Sequence, residues 1–210
     1  MRLLEILNRV ADTITAQEER LNQLDAVMGD GEHGSNMKKC FRTVQENLSL
    51  WENETETDIL KKAGSKLLTA GGGTATTLIG FFLRKAAENL NEEYIYDPKH
   101  VADALNYALD AVSEKSKAKM GDKTMMDALI PCIHAFSEMI ENGESAAKAA
   151  EKAAAAAKTG AAATAGMVGK RGRGLYVGER GIGTEDPGAV SISLIAETVS
   201  SCISTECTAE

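Results

Sequence analysis

Apolar residues recur at intervals of three and four along most of the chain, which is the spacing of one face of an α-helix. The first such segment covers residues 3–24, and similar segments follow up to residue 199. The alternation at residues 190–194 also fits a short strand, but no partner strand is evident. The pattern therefore predicts an all-α fold, a barrel or bundle of about eight antiparallel helices in one domain spanning residues 1–210.

Capping residues and glycines mark where these helices begin and end. Asp97-Pro98 and Asp186-Pro187 each place an N-cap residue before a proline, which predicts a helix start. We expect Asp122 to cap the sixth helix in the same way. The second helix begins near residues 34–36, and the third ends at the glycines that follow residue 70.

Three further segments have a composition that indicates their structure. Residues 49–57 are polar and predict a connection between helices. Residues 145–166 are rich in alanine, which has the highest helix propensity, and predict a seventh, largely buried helix. Residues 167–187 hold six glycines and predict a long loop, and loops of that length in compact domains are often functional.

Composition and charge narrow the range of partners. The 23 basic and 31 acidic residues give a net charge of −8, which argues against nucleic acid or an anionic membrane as a partner. No apolar run approaches the ~20 residues of a membrane span, and no signal peptide is predicted. We expect a cytoplasmic protein whose cysteines, without metal-ligand or redox spacing, are buried or incidental thiols: Cys40, Cys132, Cys202 and Cys207.

The order of the helices places four connections at one end of the bundle. In an up-and-down arrangement, alternate connections share an end. The alternate connections here are residues 25–36, 69–75, 121–124 and 170–188. Since these are the stretches richest in glycine and charge, the sequence predicts that they meet and form one site.

The first connection belongs to the stretch LDAVMGDGEHGSNM at residues 24–37. Asp25, Asp30 and Glu32 supply the oxygen ligands that Mg²⁺ prefers, and this ion retains waters that phosphate oxygens replace. A solvated acidic loop is the alternative when the stretch is considered alone. His33 would contact a phosphate or a base, or would orient a neighbouring carboxylate.

The other connections supply groups that suit a phosphate. A glycine run before the fourth helix offers backbone N–H groups to an anion, although it is also an ordinary way to end a helix: Gly71, Gly72 and Gly73. Thr124 supplies a hydroxyl at a helix start, or serves only as a cap. Arg171 and Arg173 lie in the glycine-rich loop, where they would cover a bound anion or remain solvated.

Four motifs together resemble one family. They are LDAVMGDGEHGSNM, LLTAGGG, GDKTM at residues 121–125 and GRGLYVGERGIGTEDPGA at residues 172–189. In this order and spacing the chain resembles the nucleotide-binding L subunit of bacterial dihydroxyacetone kinase, nearly end to end. The resemblance implies a barrel of antiparallel helices that binds ADP or ATP at one end through a pair of Mg²⁺ ions.

The resemblance also implies roles for individual residues and partners. Metal binding falls on Asp25, Asp30 and Glu32. The residues implied to contact the nucleotide are Gly72 and Gly73, together with His33, Gly34, Ser35, Asn36, Thr74, Ala75, Thr124, Arg173, Asp186, Pro187 and Gly188. Members pass the γ-phosphate to a short hydroxyketone held on a separate K subunit, and in one branch a phosphoryl-carrier M subunit of the phosphotransferase system recharges the bound ADP. A free-standing chain looks like this branch, and we expect a homodimer.

Three positions depart from the family pattern. Glu32 stands where the family has aspartate, residues 74–77 read Thr-Ala-Thr-Thr, and Ser116 stands where glycine is common. These departures keep two alternatives open, a paralogue acting on erythrulose or another small ketose and a nucleotide-loaded regulatory module. A metal-carboxylate bundle without nucleotide is a third.

Overall fold

The computed structural model describes residues 3–206, and within that range it contains α-helices and short 3₁₀ turns but no strand. The prediction of an all-α fold is therefore confirmed. The α-helices are α1 (Leu3–Ala16), α2 (Glu18–Met28), α3 (His33–Gln45), α4 (Glu56–Thr69), α5 (Gly73–Asn89), α6 (Pro98–Ser116), α7 (Met126–Glu141), α8 (Ala146–Ala163), α9 (Gly174–Val177) and α10 (Pro187–Glu206).

Eight of these helices form a closed ring. The order around the ring follows the chain, because α1 packs on α3, each later long helix packs on the one before it, and α10 packs on both α8 and α1. The short helices α2 and α9 lie outside the ring and touch one another. The predicted barrel of about eight antiparallel helices is thus confirmed, with two additional helices that the prediction did not include.

The prediction of one continuous helix over residues 3–24 is wrong. The chain breaks at Gln17, whose N–H is shared between the carbonyls of Thr13 and Ile14 at 3.1 and 3.2 Å, a tighter turn than an α-helix makes. Beyond the break, α2 crosses the start of α3 closely because Gly34 has no side chain there. A Cβ at Gly34 would overlap the backbone oxygen of Glu18.

The helix ends agree with the sequence at most positions. Asp97 caps α6 by accepting a hydrogen bond from the His100 N–H at 3.2 Å, and Gly143 ends α7 with φ +79°. The polar connection at residues 49–57 departs from the prediction, because a 3₁₀ turn at Leu48–Trp51 buries the tryptophan. Asp122 does not cap α7, since its carboxylate accepts from Lys119 and Arg171.

The alanine-rich segment forms the predicted helix, α8, but only one face of it is buried, whereas the prediction was a largely buried helix. Small side chains allow α8 to lie very close to α7, and the closest approach is at Gly160. A Cβ at Gly160 would overlap the backbone oxygen of Asp127 and lie 3.1 Å from Cγ of Pro131. The pair α7–α8 consequently depends on a glycine at this position.

The cysteines behave as predicted where the structure describes them. Cys40, Cys132 and Cys202 are buried and unpaired, and burial raises the pKa of Cys132 to about 12. Cys207 lies outside the described residues. By length and composition alone, residues 187–204 of α10 would pass as a membrane span. Half of that segment is buried, and α10 packs against α1, α7 and α8 as part of the ring.

Candidate functional site

The four predicted connections meet at one end of the ring. The Lys170 N–H donates to the Asp122 carbonyl at 3.0 Å, which joins the α8–α10 loop to the α6–α7 turn. The glycine segment before α5 is joined to α3, because Gly72 lies against the backbone oxygen of Asn36. The prediction that these connections lie together at one end of the ring is thereby confirmed.

Asp25 lies at this end of the ring, beside the amino end of α3. It belongs to the last turn of α2, and it is buried. Its Oδ2 accepts hydrogen bonds from the N–H groups of Glu32 and His33 at 3.1 and 3.3 Å. The carboxylate therefore lies at the amino end of α3, where the helix dipole and the unpaired N–H groups stabilise negative charge.

Arg173 reaches across from the α8–α10 loop to the acidic turn, which is the connection at residues 29–32 between α2 and α3. Its guanidinium forms an ion pair with Asp30, and its Nη1 lies 4.0 Å from Oδ2 of Asp25. The hydrogen bond from Arg173 lowers the pKa of Asp30 below its ordinary value. Gly29 makes room for this grouping, because a Cβ there would lie 2.5 Å from Oδ1 of Asp25 and 3.0 Å from Arg173.

The three predicted metal carboxylates lie in one turn and its preceding helix but do not converge on one point. Among residues 3–206, no three or more histidine, cysteine, aspartate and glutamate side chains are arranged to hold a metal ion. Asp25 and Asp30 instead share the Arg173 guanidinium. Since one cationic group already bridges two of the carboxylates, the position favours positive charge, which is the electrostatic requirement of a metal site.

The glycine segment prepares the amino end of α5. Gly71 and Gly73 adopt φ +72° and +86°, a region that side chains rarely occupy. Thr74 is exposed and Ala75 is half-buried in the first turn, where N–H groups have no partner within the helix. The hydroxyl groups of Thr76 and Thr77 donate back to the Gly73 carbonyl at 3.0 and 2.8 Å. The first turn therefore has backbone N–H groups without a partner inside the helix.

Thr124 and Asp127 cap α7 reciprocally, which corrects the prediction for Asp122. The Thr124 hydroxyl oxygen accepts from the Met126 N–H at 3.2 Å, and the Asp127 carboxylate accepts from the Thr124 N–H at 2.8 Å. The buried Asp122 carboxylate accepts instead from the Lys119 N–H and from Nε of Arg171. Its role is to hold the turn and the α8–α10 loop together.

His33 is oriented by Ser191, a residue that the sequence did not indicate. Nε2 of His33 lies 2.8 Å from the Ser191 hydroxyl, which itself donates to the Pro187 carbonyl at 2.9 Å. Because the single hydroxyl proton is used in that bond, Nε2 donates to Ser191. Burial lowers the pKa of His33. The only available signal was the position of Ser191, one helical turn after Pro187.

The first turn of α3 contains Gly34, Ser35 and Asn36. Ser35 is tied to α2, since its hydroxyl donates to Glu18 and its N–H donates to Oδ1 of Asn22, both at 3.0 Å. Gly34 is buried at the crossing of the two helices. Asn36 is half-buried beside Gly72. The turn therefore links the acidic stretch to the glycine segment.

Asp186 caps α10, as the sequence predicted. Its carboxylate accepts from the Ala189 N–H at 2.8 Å, and its own N–H donates to the Thr164 hydroxyl at 2.8 Å. Pro187 and Gly188 are buried behind it, and a Cβ at Gly188 would lie 3.2 Å from Cβ of Met125. Burial raises the pKa of Asp186 to about 7.

Asp186 makes the stability of the protein depend on pH. Its ordinary pKa is 3.8, so between about pH 4 and pH 7 the folded state binds this proton and the unfolded state does not. The free energy of unfolding should therefore fall as pH rises through that window. We expect the difference between wild type and Asp186→Asn to change by about 1–3 kcal/mol across it. Urea unfolding at several pH values measures this, and a pH-independent difference would contradict it.

Comparison with known proteins gives the family. The model of the DAK2 domain matches residues 27–201. The chain belongs to the DAK2 domain family. The ADP-binding subunit of a PEP-dependent dihydroxyacetone kinase from Escherichia coli is 32% identical over 91% of this DAK2 chain and 91% of its own length. An L-erythrulose kinase from Pectobacterium atrosepticum is also 32% identical, over 96% of this chain.

A solved structure supports the same assignment. The dihydroxyacetone kinase of C. freundii, solved in complex with AMP-PNP and Mg²⁺, superposes on this DAK2 chain with a TM-score of 0.73 and 26% identity. The match covers 95% of this chain. The DAK2 chain spans about a third of the C. freundii kinase and of the Pectobacterium erythrulose kinase, but nine tenths of the E. coli subunit.

Proposed function

We propose that this chain is the ADP- or ATP-binding subunit of a hydroxyketone kinase. It would transfer the γ-phosphate of the nucleotide to dihydroxyacetone, or to a similar short hydroxyketone, held on a separate K subunit. The main observation in support of this proposal is that the Arg173 guanidinium pairs with Asp30 and lies close to Asp25. This group lies at the end of the ring where α3 and α5 begin. Carboxylates for a cation, helix amino ends and a guanidinium are the groups that phosphoryl transfer needs.

Asp25, Asp30 and Glu32 are the residues that we propose hold Mg²⁺, as a pair of ions. Asp25 and Asp30 already share one cationic group, which supports a site for positive charge. Mg²⁺, when bound, neutralises phosphate charge and orients the phosphate oxygens. Glu32 is exposed beside them and carries one methylene more than aspartate, so its oxygens reach farther from the backbone.

The nucleotide would be held by backbone groups and by the residues around the acidic turn. We propose that the amino end of α5 binds phosphate oxygens through its N–H groups and that Arg173 adds positive charge. The hydroxyl of Thr124 accepts one hydrogen bond, which leaves its hydrogen to donate to the ligand. The proposed nucleotide contacts are His33, Gly34, Ser35, Asn36, Gly72, Gly73, Thr74, Ala75, Thr124, Arg173, Asp186, Pro187 and Gly188.

A reconstituted assay tests the proposed function. The chain is mixed with a K subunit, Mg²⁺, dihydroxyacetone and either ATP or ADP with a phosphoryl-carrier M subunit, and dihydroxyacetone phosphate is measured by coupled NADH oxidation. We expect turnover that requires this chain. Nucleotide binding without turnover with any K subunit or donor would favour the regulatory module. Failure to bind nucleotide would reject both the kinase subunit and the regulatory module, and would leave the metal-carboxylate bundle as the remaining alternative.

Erythrulose is a second candidate substrate. The chain is as similar to an L-erythrulose kinase as to the E. coli dihydroxyacetone kinase subunit, with 32% identity to each, and it is 34% identical to a D-erythrulose kinase from Mycolicibacterium smegmatis. The ketose is bound by the K subunit in this proposal. The assay should therefore compare kcat/KM for dihydroxyacetone and both erythrulose enantiomers with the same K subunit.

Exposed apolar residues near the site support docking of a partner at this end. Tyr176 is 84% exposed on α9, Leu175 is 55% exposed beside it, and Ile182 and Val27 are also exposed. Large apolar side chains in such a position are typical of protein interfaces. We propose that the K subunit, and in the phosphotransferase-dependent branch the M subunit, contact this surface.

Removal of the Tyr176 side chain should weaken this docking. We expect Tyr176→Ala to raise the KM for the K subunit about ten-fold or more, because buried aromatic anchors dominate binding energy at interfaces. Mg²⁺-dependent binding of ADP should not change. Leu50→Ala is the matched control, since Leu50 is 72% exposed in the α3–α4 connection at the opposite end of the ring. Equal KM values for both variants would contradict the proposed surface.

The remaining proposals concern the whole protein. We propose that residues 1–210 form one domain of this family, that the chain is a cytoplasmic homodimer, and that it has no nucleic acid or membrane partner. The family resemblance and the net charge of −8 support these proposals. Light scattering on the purified chain tests the dimer.

A further inference from the structure

Lys123 is a buried lysine in the α6–α7 turn, outside the groups assigned to the site. Its side chain is 2% exposed, although lysine is almost never fully buried without partners. Its backbone adopts φ +58°, which is uncommon for a residue with a side chain. A buried ammonium in a strained turn needs specific partners to be retained.

All three hydrogen-bond donors of the Lys123 ammonium are used by one loop. Nζ donates to the carbonyls of Gly181 and Thr184, both at 2.7 Å, and to the carbonyl of Met167 at 3.2 Å. These carbonyls lie near the beginning and the end of the segment between α8 and α10. Lys123 therefore fixes the two ends of this segment against the same point.

The fixed segment carries Arg173. Between Met167 and Gly181 the chain runs out over the acidic turn, and Arg173 forms its ion pair with Asp30 there. A second attachment comes from Asp122, which accepts from the Lys170 N–H and from Arg171. Because the Arg173 side chain is more than half exposed, its position over Asp25 and Asp30 depends on how the segment that carries it is anchored.

We propose that Lys123 is a positioning residue, which anchors the segment of residues 167–184 and thereby holds Arg173 over Asp25 and Asp30. It acts through the backbone and touches neither carboxylate in the geometry described. The ammonium is well suited to this role, because its three N–H donors allow one side chain to bind three backbone carbonyls at once. This inference rests on the proposed function only for its effect on nucleotide binding.

The anchoring is tested without any ligand. Amide hydrogen exchange is measured in wild type, in Lys123→Met and in Ile59→Ala, a fully buried residue at the opposite end of the ring that controls for lost stability. We expect exchange in residues 168–185 to rise about ten-fold or more in Lys123→Met only. Unchanged exchange there, or an equal rise in Ile59→Ala, would overturn the proposal. If Lys123→Met does not fold, Lys123→Gln, which keeps one amide donor, takes its place.

The effect on Arg173 is tested with a double-mutant cycle. ADP binding with Mg²⁺ is titrated for Lys123→Met, Arg173→Ala and the double variant, and each single variant should bind about ten-fold more weakly. If Lys123 acts by placing Arg173, Arg173→Ala should have little further effect in the Lys123→Met protein. Additive losses would overturn the positioning role. Absence of ADP binding in wild type would reject the proposed function, and the exchange result would then decide the role of Lys123 alone.

Discussion

Asp25→Asn should weaken Mg²⁺-dependent binding of ADP by about 100-fold or more, which corresponds to about 2.7 kcal/mol. Asparagine keeps the shape of the side chain and one oxygen that can accept from the N–H groups of Glu32 and His33. It removes the buried negative charge that we propose Mg²⁺ requires. Isothermal titration of ADP at fixed Mg²⁺ measures the loss, and the same titration in EDTA should show little binding even for wild type.

Asp103→Asn is the control for this experiment. Asp103 is exposed on α6, so the substitution makes the same change in net charge outside the site. We expect Asp103→Asn to bind like wild type and Asp30→Ala to bind more weakly. If Asp25→Asn and Asp30→Ala both bound ADP as wild type does, the proposed metal ligands would be wrong.

Gly160→Ala should produce a large loss of stability. The new Cβ would overlap the backbone oxygen of Asp127, so α8 and α7 would have to separate. Overpacking of this kind costs about 1–3 kcal/mol, and occasionally more. For a chain of this length we expect the melting temperature to fall by about 3–10 °C, measured by circular dichroism at 222 nm. Because Asp127 caps the Thr124 turn, nucleotide binding should weaken as well.

Gly166→Ala is the matched control for the added methyl group. No atom lies within 4 Å of a Cβ at Gly166, and its φ is not in the left-handed region. Its melting temperature should stay within about 1–2 °C of wild type, as for an ordinary surface substitution. Equal melting temperatures for the two alanine variants would show that the close approach at Gly160 is readily relieved.

Helical periodicity and helix order were sufficient to predict the ring and the end of it at which the connections meet. The apolar spacing predicts where the helices are, and the order of the helices predicts which connections share an end. Both kinds of information are present in a single sequence. The break at Gln17 could not be predicted, because the apolar stripe continues across it and the bend is stabilised by contacts with α3. The turn that buries Trp51 was missed because the residues that follow it, 52–57, are all polar and indicated an exposed connection.

The candidate site was predictable in its charged and glycine residues, and less so in its supporting residues. Asp25, Asp30 and Arg173 stand out by type and spacing. Lys123 resembles any loop lysine in the sequence, and its burial becomes visible only when the carbonyls of a segment more than 40 residues away surround it. Ser191 was missed because a serine on a helix rarely indicates a role. Thr124 caps α7 in place of Asp122, because both residues are suitable caps and tertiary contacts decide between them.

The closure of the ring by α10 has a consequence for the order of folding. The hydroxyl oxygens of Thr13 and Thr198 lie 3.0 Å apart across the α1–α10 contact, although 185 positions separate them in the chain. The same helix carries Ser191, which orients His33, and follows Asp186 directly. A ribosome-bound chain that still lacks α10 has neither the closed ring nor a complete site. The ability to bind a ligand at this end would therefore appear only when synthesis has passed the last helix.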